Sequence, residues 1–157
     1  MYLHILERLK DIRDNRTDSY VTVVSQYEEI LDKAKEYDMA AVYNGDAEEG
    51  IAASIRLGTC ELSDSDWFFF FTADQPYLTA STIDGFITAV TGSGRSMASV
   101  CNMGIPGSPT AFSNIWKKEL LGLKGDTGGR IILKSHPNEV FWYEINSFEI
   151  RDIDYND

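Results

Sequence analysis

The segment Trp67-Phe68-Phe69-Phe70-Phe71-Thr72 constrains the fold more than any other stretch of the chain. Its apolar residues run on without alternating with polar ones. A strand buried on both faces reads this way, and such strands belong to parallel sheets covered by helices on each side. The run ends in Ala73-Asp74-Gln75-Pro76, and proline closes the strand because it cannot donate to a ladder.

The flanking patterns agree with that frame. Tyr2, Ile5, Leu6, Leu9 and Ile12 recur at helix spacing, as do Tyr27, Ile30, Leu31, Ala34 and Tyr37. Tyr20 to Val24, Met39 to Tyr43, Met97 to Cys101, Thr110 to Phe112 and Val140 to Ile145 read as strands, with one more expected at Ile150 to Ile153. Ile51 to Leu57 predicts one or two helical turns stopped by Gly58, and Gly104 to Pro109 predicts a loop. Thr79 or Ser81 caps a helix carrying Ile83, Phe86, Ile87 and Val90, and Ser113 caps another. Strands alternating with helices predict an α/β domain around a mainly parallel sheet. The 157 residues fit one domain, and 43% apolar residues suffice for its core.

Charge narrows the partners. Lys and Arg number 14 against 25 Asp and Glu, a net charge of −11. That balance argues against nucleic acid and anionic membrane, both polyanions. It leaves room for a nucleotide whose phosphates are met by Mg²⁺ and backbone N–H groups. No stretch approaches the roughly 20 apolar residues of a span, and the first residues show no signal-peptide pattern, so a cytoplasmic protein is expected. Cys60 and Cys101 form no metal or redox pair.

In open α/β sheets, ligands lie beyond the carboxyl ends of the strands. Asp74 follows the buried run and can coordinate Mg²⁺, or it can cap the next turn. Asn44 to Gly50, leading into Ser54, offers a close backbone approach at Gly50 and a helix start, or is a solvated loop. Gly125-Asp126-Thr127-Gly128-Gly129-Arg130 is either a phosphate cradle or a tight turn. Asp152-Ile153-Asp154 has a spacing that can hold a metal in glycosyl or nucleotidyl transfer.

Taken in order, these segments resemble the MobA-like nucleotidyltransferases, and within them the molybdenum-cofactor cytidylyltransferases. Trp67–Phe71 with Thr72-Ala73-Asp74-Gln75-Pro76-Tyr77-Leu78-Thr79 looks like their metal-binding strand end. Glu49–Gly58 resembles their upstream Gly-containing segment. Gly107-Ser108-Pro109 resembles their Gly-x-Pro loop, Gly125–Arg130 their Gly-Asp-x-Gly turn, and Asp152-Ile153-Asp154 their terminal Asp-x-Asp. The resemblance implies a three-layer α/β/α fold with a mixed, mainly parallel sheet, formed by residues 1–157 as a single domain. It implies transfer of a nucleoside monophosphate, CMP first, from an NTP to a phosphorylated acceptor such as molybdopterin. Asp74 would be catalytic and hold Mg²⁺, with Asp154 as a second ligand. Asn44, Gly50 and Ser54 would meet the nucleotide. Gly107, Pro109, Gly125, Asp126 and Arg130 would meet the acceptor.

The chain departs from the family at one place. The family opens with a strand and a Gly-rich loop of the form L-A-A-G-x-S-x-R-M-G-x-x-K that wraps the triphosphate, and no such segment occurs here. The expected fold is therefore N-terminally truncated, with reduced or absent activity. Two apolar strand edges would lie open, resembling Val21–Val24 and Trp67–Phe71, and open edges invite pairing. Direct closure of the gap, an absent segment and a homo-oligomer are the alternatives. Two further functions stay open: a binding module keeping only the acceptor side, and a glycosyltransferase using a nucleotide-sugar.

Overall fold

The computed structural model describes residues 2–152. In chain order the elements are α1 (Tyr2–Asn15), β1 (Thr22–Ser25), α2 (Glu28–Glu36), β2 (Ala40–Tyr43), α3 (Ile51–Glu61), β3 (Trp67–Phe70), α4 (Ala80–Thr91), β4 (Met97–Asn102), β5 (Ile105–Ser113), α5 (Lys117–Leu121), α6 (Arg130–Ser135) and β6 (Val140–Glu144). The class is mixed α/β with a mainly parallel sheet, as the alternating pattern predicts. The strands form two hydrogen-bonded sets, β1-β2 and β3-β5-β4-β6.

The chain divides into two compact units. One holds Tyr20–Phe68 and Phe112–Pro137. Its β1 and β2 are parallel, with Thr22 opposite Ala40 and Ser25 opposite Tyr43. The crossover helix α2 buries Leu31 and Ala34, and α3 buries Ala52, Ala53, Ile55 and Thr59. Gly58 does not stop α3, which continues to Glu61. A Cβ at Gly58 would lie 3.6 Å from Val24 Cγ2 of β1, an ordinary contact that favours continuing the packed helix over ending it.

The other unit holds Met1–Ser19, Phe69–Ala111 and Asn138–Asp157. Here β4 and β6 are parallel, from Met97 opposite Val140 to Cys101 opposite Glu144. Only Met103-Gly104 separates β4 from its neighbour β5, so the two form a hairpin. Both turn residues have positive φ, 50° and 81°, as a two-residue hairpin turn demands. Phe86 of α4 is fully buried, with its ring 5.8 Å from Phe69 and 5.6 Å from Tyr143. Arg16, just past α1, pins that helix to α4 through Asp84 Oδ1 (2.8 Å) and Thr88 Oγ1 (2.6 Å).

Three further expectations need correction. The run Trp67–Phe70 is a strand, but of its residues only Phe68 is buried, because β3 bonds to β5 alone and lies at an edge. Residues 105–109 are not a loop: they open the nine-residue β5. Ile150 lies in a turn and Arg151 and Asp152 in no element, so among the described residues no strand starts there; Ile153 lies outside them. The open edges do follow expectation in one respect. β1 bonds only to β2 and β3 only to β5, so among the described residues β1 and β3 do not pair with each other.

Candidate functional site

In the unit that contains it, Asp74 stands on the turn between β3 and α4. The turn is tied down by its neighbour. Gln75 is 1% exposed and donates from Nε2 to the Ser108 carbonyl of β5 at 2.6 Å, while Thr72 Oγ1 donates to its Oε1 at 3.4 Å. Asp74 Oδ1 is buried with no hydrogen-bond partner, a state shared among the described residues only by Arg8 Nη1 and Thr22 Oγ1. A desolvated carboxylate oxygen without a donor is costly, and a cation would satisfy it.

The turn ends at Thr79, whose hydroxyl caps α4 by accepting from the Thr82 N–H at 3.2 Å. Glu149 closes on this cap from the C-terminal segment. It is 8% exposed. Its Oε1 accepts from Thr79 N (2.9 Å) and Oγ1 (2.7 Å), and its Oε2 from Thr82 Oγ1 (2.9 Å) and Asn146 Nδ2 (2.9 Å). Beside it Phe148 packs on Tyr77, ring centroids 4.3 Å apart. Ile150 fills the space a side chain at Gly107 would need, since a Cβ there would meet Ile150 at 2.7 Å. Gly107 thus receives this chain's own isoleucine. Pro109, two residues on, is fully buried after a cis Ser108-Pro109 bond.

Burial pushes the Glu149 carboxyl up, but the hydrogen bonds from Thr79, Thr82 and Asn146 outweigh it and hold the group below the usual carboxylate range. Its stabilisation is therefore complete above the unfolded value of about 4.3 and is lost as pH falls through the lower folded value. Glu149→Gln is expected to flatten the acid side of the stability curve. Urea unfolding from about pH 7 to about pH 3 checks this, and an unchanged slope contradicts it.

In the other unit, Asn44 is 2% exposed and spent on local structure. Its Nδ2 donates to Ser54 Oγ at 2.9 Å, and its Oδ1 accepts from Asp46 N at 3.0 Å. Gly50 has φ 120°, and a Cβ there would lie 2.6 Å from the Gly125 carbonyl oxygen. The close backbone approach expected at Gly50 is made by Gly125 and Asp126. The Gly125 carbonyl accepts from Ala52 N (3.1 Å), and Asp126 Oδ1 accepts from Ile51 N (3.5 Å). These bonds occupy N–H groups at the start of α3. Arg56 locks the two loops, donating to Glu49 Oε2 (2.7 Å) and to the Leu123 carbonyl (2.6 Å). That bond from Arg56 holds the Glu49 carboxyl below its usual range. Arg130 is exposed at the first position of α6. A cavity of about 460 Å³ lies alongside, lined by Asp46, Ala53, Arg56, Leu57, Cys60 and Leu121.

The structure thus brings Gly50, Gly125 and Asp126 together, and Asn44 with Ser54. Sequence reasoning missed the Arg56 lock and the Glu149 cap, because Leu123 and Thr79, the groups they reach, lie 67 and 70 residues away. Asp154 lies outside the described residues. No group of three or more His, Cys, Asp or Glu side chains is poised to hold a metal among the described residues. Mg²⁺ does not require one, since it uses one or two carboxylates and completes its shell with water and phosphate oxygens. No helix among the described residues is long and apolar enough to cross a membrane.

The chain matches the MobA-like NTP transferase domain over residues 1–140. Its fold is similar to that of Rv0371c from Mycobacterium tuberculosis H37Rv, at 21% identity and TM-score 0.76, covering 96% of this chain and 78% of the other. It is similar to the manganese complex of Rv0371C at 19% identity and TM-score 0.72, over 96% and 80% of the two chains. It is also similar to CMP:2-keto-3-deoxy-manno-octonic acid synthetase complexed with CTP, at 8% identity and TM-score 0.68, over 91% and 78%. Among curated proteins no sequence match was found.

Proposed function

Because the chain belongs to the MobA-like NTP transferase family and is a nucleotidyltransferase-type domain, we propose that it handles CTP and passes CMP to a phosphorylated, molybdopterin-like acceptor. In this reaction an acceptor phosphate oxygen attacks the α-phosphorus of the NTP, the α–β bridge breaks and pyrophosphate leaves. The observation that carries the reading is the buried, unpartnered Asp74 Oδ1 on the turn after β3. Asp74 would hold Mg²⁺, with Asp154 as the second ligand. Manganese in the Rv0371C complex and CTP in the synthetase complex support the choice of probes. Bound Mg²⁺ supplies charge neutralisation on the triphosphate.

The remaining roles follow the family pattern. Ser54 would contact the nucleotide, with Asn44 positioning it and Gly50 holding the loop against Gly125. Asp126 and Arg130, with the Gly125 turn that carries them, would contact the acceptor, whereas Gly107, packed against Ile150, and the buried Pro109 are left to structure. Arg130 is exposed and can meet an acceptor phosphate. With a net charge of −11, turnover by these 157 residues alone is expected to be slow. The site is proposed to work in the cytoplasm, with self-association at the open edges of β1 and β3, to be read by light scattering.

Calorimetry with CTP, GTP and ATP, each with and without Mg²⁺, tests the reading. Tightest binding of CTP, present only with Mg²⁺, is expected. Pterin binding that ignores Mg²⁺, with no NTP bound, would instead favour a non-catalytic binding module. Hydrolysis or transfer from a nucleotide-sugar would favour a glycosyltransferase.

A further inference from the structure

We propose that Glu149 is a positioning residue for the metal site at Asp74, acting through the turn that links β3 to α4. The proposal rests on the reading of Asp74 as a metal-holding carboxylate. A single carboxylate on an exposed turn tends to swing toward water or the nearest donor, and a metal then has to bear the cost of ordering it. Asp74 Oδ1 is instead held buried and unpaired. Something must oppose its relaxation, and the turn is tethered at two points.

The first tether is Gln75, bonded to the Ser108 carbonyl. The second is Glu149, whose Oε1 takes both the N–H and the hydroxyl of Thr79. Glu149 is itself immobilised. Its Oε2 is saturated by Thr82 and Asn146, and its own N–H donates to Asn146 Oδ1 at 2.8 Å. Phe148 on Tyr77 grips the middle of the same turn, and Ile150 against Gly107 anchors the segment to β5. The helix cap alone does not require this, because Thr79 Oγ1 already caps the Thr82 N–H. Both Glu149 oxygens are engaged within the protein, so it supports the turn and does not ligate. Outer partners that orient a ligand typically contribute about 10–100-fold in metal affinity.

Mn²⁺ titration followed by electron paramagnetic resonance tests this on wild type, Asp74→Ala, Glu149→Ala, Glu149→Gln and Thr82→Ala, with circular dichroism confirming the fold. Asp74→Ala should abolish binding. Glu149→Ala should weaken it about 10–100-fold while remaining folded. Glu149→Gln, whose amide oxygen still accepts from Thr79, should restore most of the affinity. Thr82→Ala removes one donor from Glu149 and should weaken binding a few-fold, which keeps the test informative if Glu149→Ala does not fold. Wild-type Mn²⁺ affinity in folded Glu149→Ala, or in Thr82→Ala if the former is unfolded, would overturn the proposal and leave the Asp74 reading standing. Absence of Asp74-dependent binding in the wild type would overturn both.

Discussion

Asp74→Ala is expected to make the ligand-free protein more stable while removing its response to Mg²⁺ and nucleotide. The two effects share one cause. Asp74 Oδ1 is desolvated and receives no hydrogen bond, and an unsatisfied buried oxygen costs about 1–3 kcal/mol. Removing it should raise stability by about 1 kcal/mol, or about 2–4 °C in Tm for a chain of this size. The same change deletes the proposed metal ligand. Since outer-shell changes already cost about 10–100-fold, loss of the ligand itself should lower Mg²⁺-dependent nucleotide affinity by about 100-fold or more. Denaturant unfolding without metal measures the first effect, and calorimetry with Mg²⁺ the second. A carboxylate kept only as a turn cap would give the opposite stability sign, because its removal would expose donors it had satisfied.

Gly50→Ala is expected to be among the most damaging single-methyl additions in the chain. The residue sits at φ 120°, where a side chain is strained, and a Cβ would lie 2.6 Å from Gly125 O and 2.7 Å from Asp126 Cα. Both obstacles are backbone, so no flexible side chain can move aside. Strain and displacement together should cost about 3 kcal/mol. The neighbouring bonds from Ala52 to Gly125 and from Arg56 to the Leu123 carbonyl hold the two loops at this distance. The midpoint of urea unfolding should fall accordingly. A midpoint within error of wild type would show that the two loops separate freely.

The fold was readable where periodicity and burial agree. The helical stripe of α1 and the Thr79 cap of α4 both appear as expected. Errors arose where a residue's usual local effect is overridden by its neighbours. Gly58 reads as a stop, yet packing against β1 carries α3 past it. Gly107 and Pro109 read as loop residues, yet they lie within the nine-residue β5. At the candidate site, Asp74 could be picked out because it follows a strand. The groups that hold it could not. Glu149 meets Thr79 across 70 residues of chain, and no spacing rule links a carboxylate to a donor at that range. Gly50 and Gly125 were both singled out as glycines suited to a ligand; Gly50 turns out to make room for the backbone of Gly125 and Asp126, and Gly125 holds a left-handed turn at φ 67°.

The most direct test is a thermal-shift titration of wild type and Asp74→Ala with CTP, with and without Mg²⁺. A ligand at about 100 times its dissociation constant adds roughly 2.7 kcal/mol, a shift of several degrees here. The account predicts that shift for wild type only when CTP and Mg²⁺ are both present, and none for Asp74→Ala. An equal shift in the two proteins, or a wild-type shift that does not need Mg²⁺, would contradict a metal-dependent nucleotide site at Asp74.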